Sequence, residues 1–150
     1  MPYTVDVDLE VVGVTGAVLT LIDGVELAFM PGHRIMVGTG STGSGMLAVE
    51  GDIDGVLDWD GGGYGPGVLF TSSVPSPTSS DLWGGVEFHS KDAGSTLHGL
   101  TMENAGPSHY LAAMYINSAS PLLDGVTIRN SHTTGLRTQG IAPSLSLIHI

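Results

Sequence analysis

Apolar residues recur at every second position in short runs, and Gly, Pro, Ser and Asp interrupt the runs. Leu19 and Leu21 flank Thr20; Val25, Leu27 and Phe29 alternate with Glu26 and Ala28; Ile35 and Val37 enclose Met36; Leu47 and Val49 alternate with Ala48 and Glu50. The same alternation returns at Val68 and Phe70, Val86 and Phe88, Leu100 and Met102, Met114 and Ile116, and Val126 and Ile128. Period two places each aliphatic set on one face of an extended strand. No stretch has the 3.6-residue period of an amphipathic helix, so the pattern predicts many short strands and an all-β chain.

Repeats narrow the architecture. Leu97-His98-Gly99-Leu100-Thr101-Met102-Glu103-Asn104 superposes on Leu123-Asp124-Gly125-Val126-Thr127-Ile128-Arg129-Asn130 at an offset of 26 residues. Ala113 to Asn117, with Pro121 after it, superposes on Gly135 to Gln139, with Pro143 after it, at an offset of 22. Periods of 20 to 30 residues holding several strands each suit a solenoid in which equivalent positions stack about 4.8 Å apart. That stacking predicts Glu103 beside Arg129, Tyr115 beside Arg137 with its ring turned outward, and Asn104 and Asn130 at equivalent turns.

Composition supports this reading and limits the function. Gly makes up 23 of 150 residues, charged residues are 13%, and there is one Lys and one Gln, which leaves little for the wet face of a long helix. The net charge of −11 sits in residues 1–92, where thirteen acidic side chains face only Arg34 and Lys91; the remainder is neutral. An acidic surface repels phosphate backbones and anionic lipid, so nucleic acid and direct membrane insertion are not expected. Cysteine is absent, which removes disulfides and thiolate metal sites. Leu145 to Ile150 reads LSLIHI and resembles the in-frame translation of a sequencing adapter. The expectation is one domain over residues 1–144, a fragment of a longer solenoid, followed by a scar at 145–150. A severed solenoid exposes an unpaired strand edge and is expected to be poorly soluble.

Leu19 to Phe29, Gly67 to Ser72 and Trp83 to Phe88, in this order, resemble the bacterial right-handed parallel β-helix repeat proteins of the pectin-lyase-like superfamily. The resemblance covers roughly Tyr3 to Ser144. It implies a right-handed parallel β-helix, and a secreted or cell-surface location. Polysaccharide lyases and hydrolases are the enzymes that the resemblance brings in.

Candidate chemistry is sparse. Gly38-Thr39-Gly40-Ser41-Thr42-Gly43 fits the dinucleotide-binding spacing, but the next residues alternate as a strand where that motif needs a helix N-terminus, so a turn is expected. Asp52, Asp54, Asp58 and Asp60 put four carboxylates within nine residues beside a glycine run, which makes Ca²⁺ the one metal to consider. The EF-hand pattern is incomplete there, and no cofactor is otherwise expected. The six histidines form neither H-x-x-x-H nor H-E-x-x-H, and G-x-S-x-G is absent. Tyr115, with Trp59, Trp83, Tyr64 and Tyr110, offers aromatic surface for sugar rings, Trp83 being better placed to pack beneath a loop. Ser72 to Ser80 is a Pro/Ser loop interrupting the rungs.

The function expected from the residues is a noncatalytic structural, adhesive or glycan-binding domain, with Tyr115, Arg137, Glu103 and Arg129 as candidate ligand contacts and a polysaccharide or cell-surface glycan as partner. The alternative is the N-terminal part of a polysaccharide lyase or glycoside hydrolase, which would need paired carboxylates, or a base beside cations, in one groove.

Overall fold

Alternating aliphatics separated by turn residues form short strands that cannot bury a face alone, so each needs a neighbour at both edges and a core beneath. The computed structural model describes residues 2–41, 43–51, 67–106 and 111–150. Its first three strands are β1 (Tyr3–Val5), β2 (Leu9–Val11) and β3 (Ala17–Ile22); the next three are β4 (Glu26–Phe29), β5 (Arg34–Val37) and β6 (Gly45–Glu50). Then follow β7 (Val68–Ser72), β8 (Gly85–Phe88) and β9 (Thr96–His98), then β10 (Leu100–Glu103), β11 (Ala112–Asn117) and the eight-residue β12 (Leu122–Arg129), and last β13 (Thr134–Gln139) and β14 (Ser144–His149). No helix forms among the described residues.

Every ladder between these strands is parallel. A five-stranded sheet runs β13-β11-β8-β5-β2, and a nine-stranded, curled sheet runs β1-β4-β7-β10-β12-β9-β6-β3 with β14 on β12. Through β9 each strand lies on the one three places later in the chain. β12 serves twice: Leu122–Asp124 pairs with β9, and Thr127–Arg129 with β10. Gly125 lies between the two halves with φ +63°, and Gly99 occupies the equivalent corner with the same angle.

Both offsets visible in the sequence are registers of the structure. Leu97 pairs with Leu123 and Met102 with Ile128, 26 apart, while Met114 pairs with Leu136, 22 apart. Rows of inward side chains result, such as Leu27–Phe70–Met102–Ile128 and Ile35–Val86–Met114–Leu136. Phe29, Phe70 and Trp83 fill the middle of the core. Trp83 stacks on Phe29 at 4.6 Å and meets Phe70 edge-on at 6.1 Å, and its indole N–H donates to the Glu103 carbonyl at 2.8 Å. The indole is therefore a core anchor and not an open sugar platform.

The last strand, Ser144–His149, pairs in parallel with Leu122–Thr127 of β12. Of its side chains, Ile148 packs against the core, while Leu145 and Leu147 are exposed.

Candidate functional site

Apart from Leu69, the outward positions of β1, β4, β7, β10 and the second half of β12 are small or polar. Thr4 pairs with Ala28 and Ala28 with Thr71, and Glu103 pairs with Arg129, so side chains at these positions rise in one row. Small side chains low in the row leave a concavity, and the loop after β7 supplies its wall. The result is a groove of about 330 Å³ floored by Glu26, Ala28, Thr71 and Glu103, with Asn104 at its end and residues 72–77 along one side.

The wall is tied down at its root. The Ser73 amide donates to the Phe29 carbonyl at 2.8 Å, the Ser72 hydroxyl to the Asp81 carbonyl at 2.8 Å, and the Val74 amide to the Ser72 hydroxyl at 3.2 Å. Farther along, the Asp81 carboxylate accepts from the Thr78 hydroxyl at 2.6 Å and the Thr78 amide at 3.0 Å. These bonds hold the Asp81 carboxyl below the usual carboxylate range, the hydroxyl having the larger effect. The Pro/Ser loop thus carries internal bonds of the Asx and ST-turn kind.

Within the groove Glu103 is oriented by its own chain. Arg129 Nε donates to Glu103 Oε2 at 2.8 Å, its Nη2 lies at 2.8 Å from the same oxygen, and the Thr71 hydroxyl donates to Oε1 at 3.1 Å. The Asn104 amide donates to Thr71 Oγ1 at 3.4 Å. Glu103, Thr71, Asn104 and Arg129 accordingly form one connected polar set, and Glu26 adds a second carboxylate to the same groove.

Tyr115 and Arg137 are also register partners, as expected, with the guanidinium carbon 5.9 Å from the ring centroid. Exposure of the ring is a different matter: Tyr115 stands in the outward row of the five-stranded sheet but is only 2% exposed, and its hydroxyl donates to Gln139 Oε1 at 2.7 Å. It is a covered contact and not a stacking surface.

A second polar network on that sheet was not anticipated. Glu87, 2% exposed, accepts from Arg34 Nη1 at 2.9 Å and lies 3.3 Å from His89 Nε2. Arg34 Nε is also 3.5 Å from Asp8, whose other oxygen is 3.2 Å from His33 Nδ1. In the nine-stranded sheet His98 Nδ1, on β9, lies 3.1 Å from the Asp124 carboxylate on β12. The spacing between Arg34 and Glu87 is 53 residues, which matches neither the 22- nor the 26-residue offset, so no repeat in the sequence signals their meeting.

Among the described residues no three His, Cys, Asp or Glu side chains are arranged to hold a metal ion. Asp52, Asp54, Asp58 and Asp60, the candidate Ca²⁺ ligands, lie outside the described residues, as do Trp59, Tyr64 and Tyr110. At the start of the glycine motif Gly38 takes φ +68° and its amide donates to the Val11 carbonyl at 3.1 Å, and strand β6, not a helix, follows the motif. A side chain at Gly43 would come within 2.7 Å of the Gly13 carbonyl oxygen, so that glycine allows close backbone approach.

Comparison with family models, with curated proteins and with solved structures finds no match to this chain.

Proposed function

We propose that this chain forms a right-handed parallel β-helix of the pectin-lyase-like kind, secreted or displayed at a bacterial surface, that binds neutral glycan without cleaving it. The groove beneath residues 72–77 carries the reading. Its floor presents carboxylate, hydroxyl and amide groups, the acceptor and donor set that a polyol ligand matches, on strands held rigid by pairing on both sides. The acidic surroundings disfavour polyanionic glycans. Parallel strands that recur every three along the chain, with the 22- and 26-residue registers, support the helical solenoid.

Polysaccharide cleavage is the second reading, favoured by the presence of both Glu26 and Glu103 in one groove. Against it, both oxygens of Glu103 are engaged, one by Arg129 and one by Thr71. Calorimetric titration with neutral oligosaccharides, run beside an assay for new reducing ends and unsaturated products, separates the two. Binding that Glu26→Gln weakens about tenfold, with no products, is the expected result. Product formation would replace binding by catalysis, and no heat with any neutral oligosaccharide would remove the glycan reading.

A further inference from the structure

The groove beside residues 72–77 holds one carboxylate whose charge the protein leaves uncompensated. Of its two carboxylates, Glu103 is met by Arg129 on one oxygen and by Thr71 on the other, so that pair presents little net charge. The Glu26 carboxylate has no hydrogen-bond or ion-pair partner among the described residues. Its neighbour in the strand ladder is Leu69, which offers neither a charge nor a side-chain hydrogen bond. None of the chain's four Lys and Arg side chains lines the groove, and residues 72–80 carry no charged side chain. The Arg129 backbone stands three strands from that of Glu26, about 14 Å at the usual spacing, and its guanidinium is turned to Glu103.

Glu26 is half-buried, which thins its hydration and strengthens its attraction for an incoming cation. The surrounding chain adds to this, since the whole net charge of −11 lies in residues 1–92 and a field of one sign concentrates counter-ions in a recess. The other groups facing the groove decide what carries the cation. The Ser73 and Ser76 hydroxyls also lack a partner among the described residues, and Val74, Pro75 and Pro77 give the wall apolar surface. A bare metal ion finds no set of three His, Asp or Glu ligands among the described residues, and a plain alkyl amine has nothing to offer the hydroxyls. A sugar ring bearing an amine supplies each complement: an ammonium for Glu26, hydroxyls for Ser73 and Ser76, and C–H faces for the prolines.

We propose that the groove prefers glycans carrying a free amine, with the protonated nitrogen set against Glu26. The inference rests on the glycan reading above and narrows it: uncharged sugars bind, and their amine-bearing counterparts bind tighter. Acetylation turns the amine into an amide, which keeps a hydrogen-bond donor and loses the charge, so it should remove the gain.

Calorimetric titration of the whole chain with the β-1,4-linked disaccharides of glucose, glucosamine and N-acetylglucosamine, at about pH 6 where a sugar amine is protonated, tests it. The glucosamine disaccharide should bind roughly fivefold tighter than the glucose one, and the N-acetylated one no tighter than glucose. Added salt at about 0.5 M should erase most of that gain on the unaltered chain, a readout that needs no variant to fold. Glu26→Gln should bring the glucose and glucosamine disaccharides to equal affinity, whereas Glu50→Gln, which removes an exposed carboxylate outside the groove, should leave the preference in place. Equal affinity of those two disaccharides for the unaltered chain would overturn the inference and leave the glycan reading standing; no heat from any of the three would overturn both. A preference that survives Glu26→Gln, or that Glu50→Gln removes equally, would assign the effect to the general field and overturn the role of Glu26. Binding of 1,4-diaminobutane as tight as that of the glucosamine disaccharide would show that charge alone is read, and would overturn it as well.

Discussion

The Glu87 carboxylate lies almost wholly out of water, and burial of an ionised group is costly unless a partner and hydrogen bonds replace its hydration. Arg34 supplies both at 2.9 Å while bridging to Asp8, which is far more exposed. Removing the guanidinium leaves a buried carboxylate with one fewer partner; removing Asp8 leaves the buried pair intact. Arg34→Ala is therefore expected to lower unfolding free energy by about 2–3 kcal/mol, discounted because Arg34 is partly solvated, and Asp8→Asn by less than about 1 kcal/mol. Urea denaturation of the two variants checks this, and equal losses would show that the network is not organised around Glu87. At this scale the sequence was unevenly informative. Glu103 and Arg129 sit 26 residues apart within a countable repeat, so their meeting could be expected; Arg34 and Glu87, 53 residues apart, are brought together only by the pairing of β5 with β8.

Turns are where elements are joined, and here the repeated asparagines have a backbone role. Asn104 ends β10 and Asn130 ends β12, with φ of +58° and +54°. Asn tolerates this left-handed conformation better than other residues with a Cβ, and Gly better still. Asn130→Ala is expected to cost about 1 kcal/mol and Asn130→Gly close to nothing, while Asn104→Ala costs more because its amide also donates to Thr71. Thermal melts of the three variants decide it; an Asn130→Gly loss as large as that of Ala would mean that the side chain matters for a bond and not for the turn. Longer strands were visible in the alternation because four or more residues display a period. The three-residue β1, β2 and β9 were not, since three residues show at most one alternation and their extension is imposed by the neighbour they pair with.

Across the whole molecule, stability should follow position in the stack. β7, β8, β10 and β11 pair on both sides and cover a core of Phe70, Trp83, Phe88 and Met114, whereas β1, β2 and β13 pair on one. In a stack where each layer contacts only its neighbours, opening begins at the ends. Amide exchange should be slowest in β8, β10 and β11 and faster by orders of magnitude in β1, β2 and β13. Uniform protection would instead indicate a single cooperative unit.

What the sequence determined by itself is the part governed by local periodicity: the strands of four residues or more from β3 to β13, the face each one buries, and the registers at 22 and 26 in the second half. Tertiary structure decided the rest. The parallel neighbours of β4 and β5 lie 43 and 51 residues onward, far from either offset of the repeat, because strand pairing ignores how much chain lies between. The same stacking created the groove, since its floor draws on β4, β7 and β10 and its wall on a loop that reads as a mere interruption in the sequence. Side chains far apart in a chain meet when backbone hydrogen bonds align their strands, and that alignment is a property of the stacked layers as a whole.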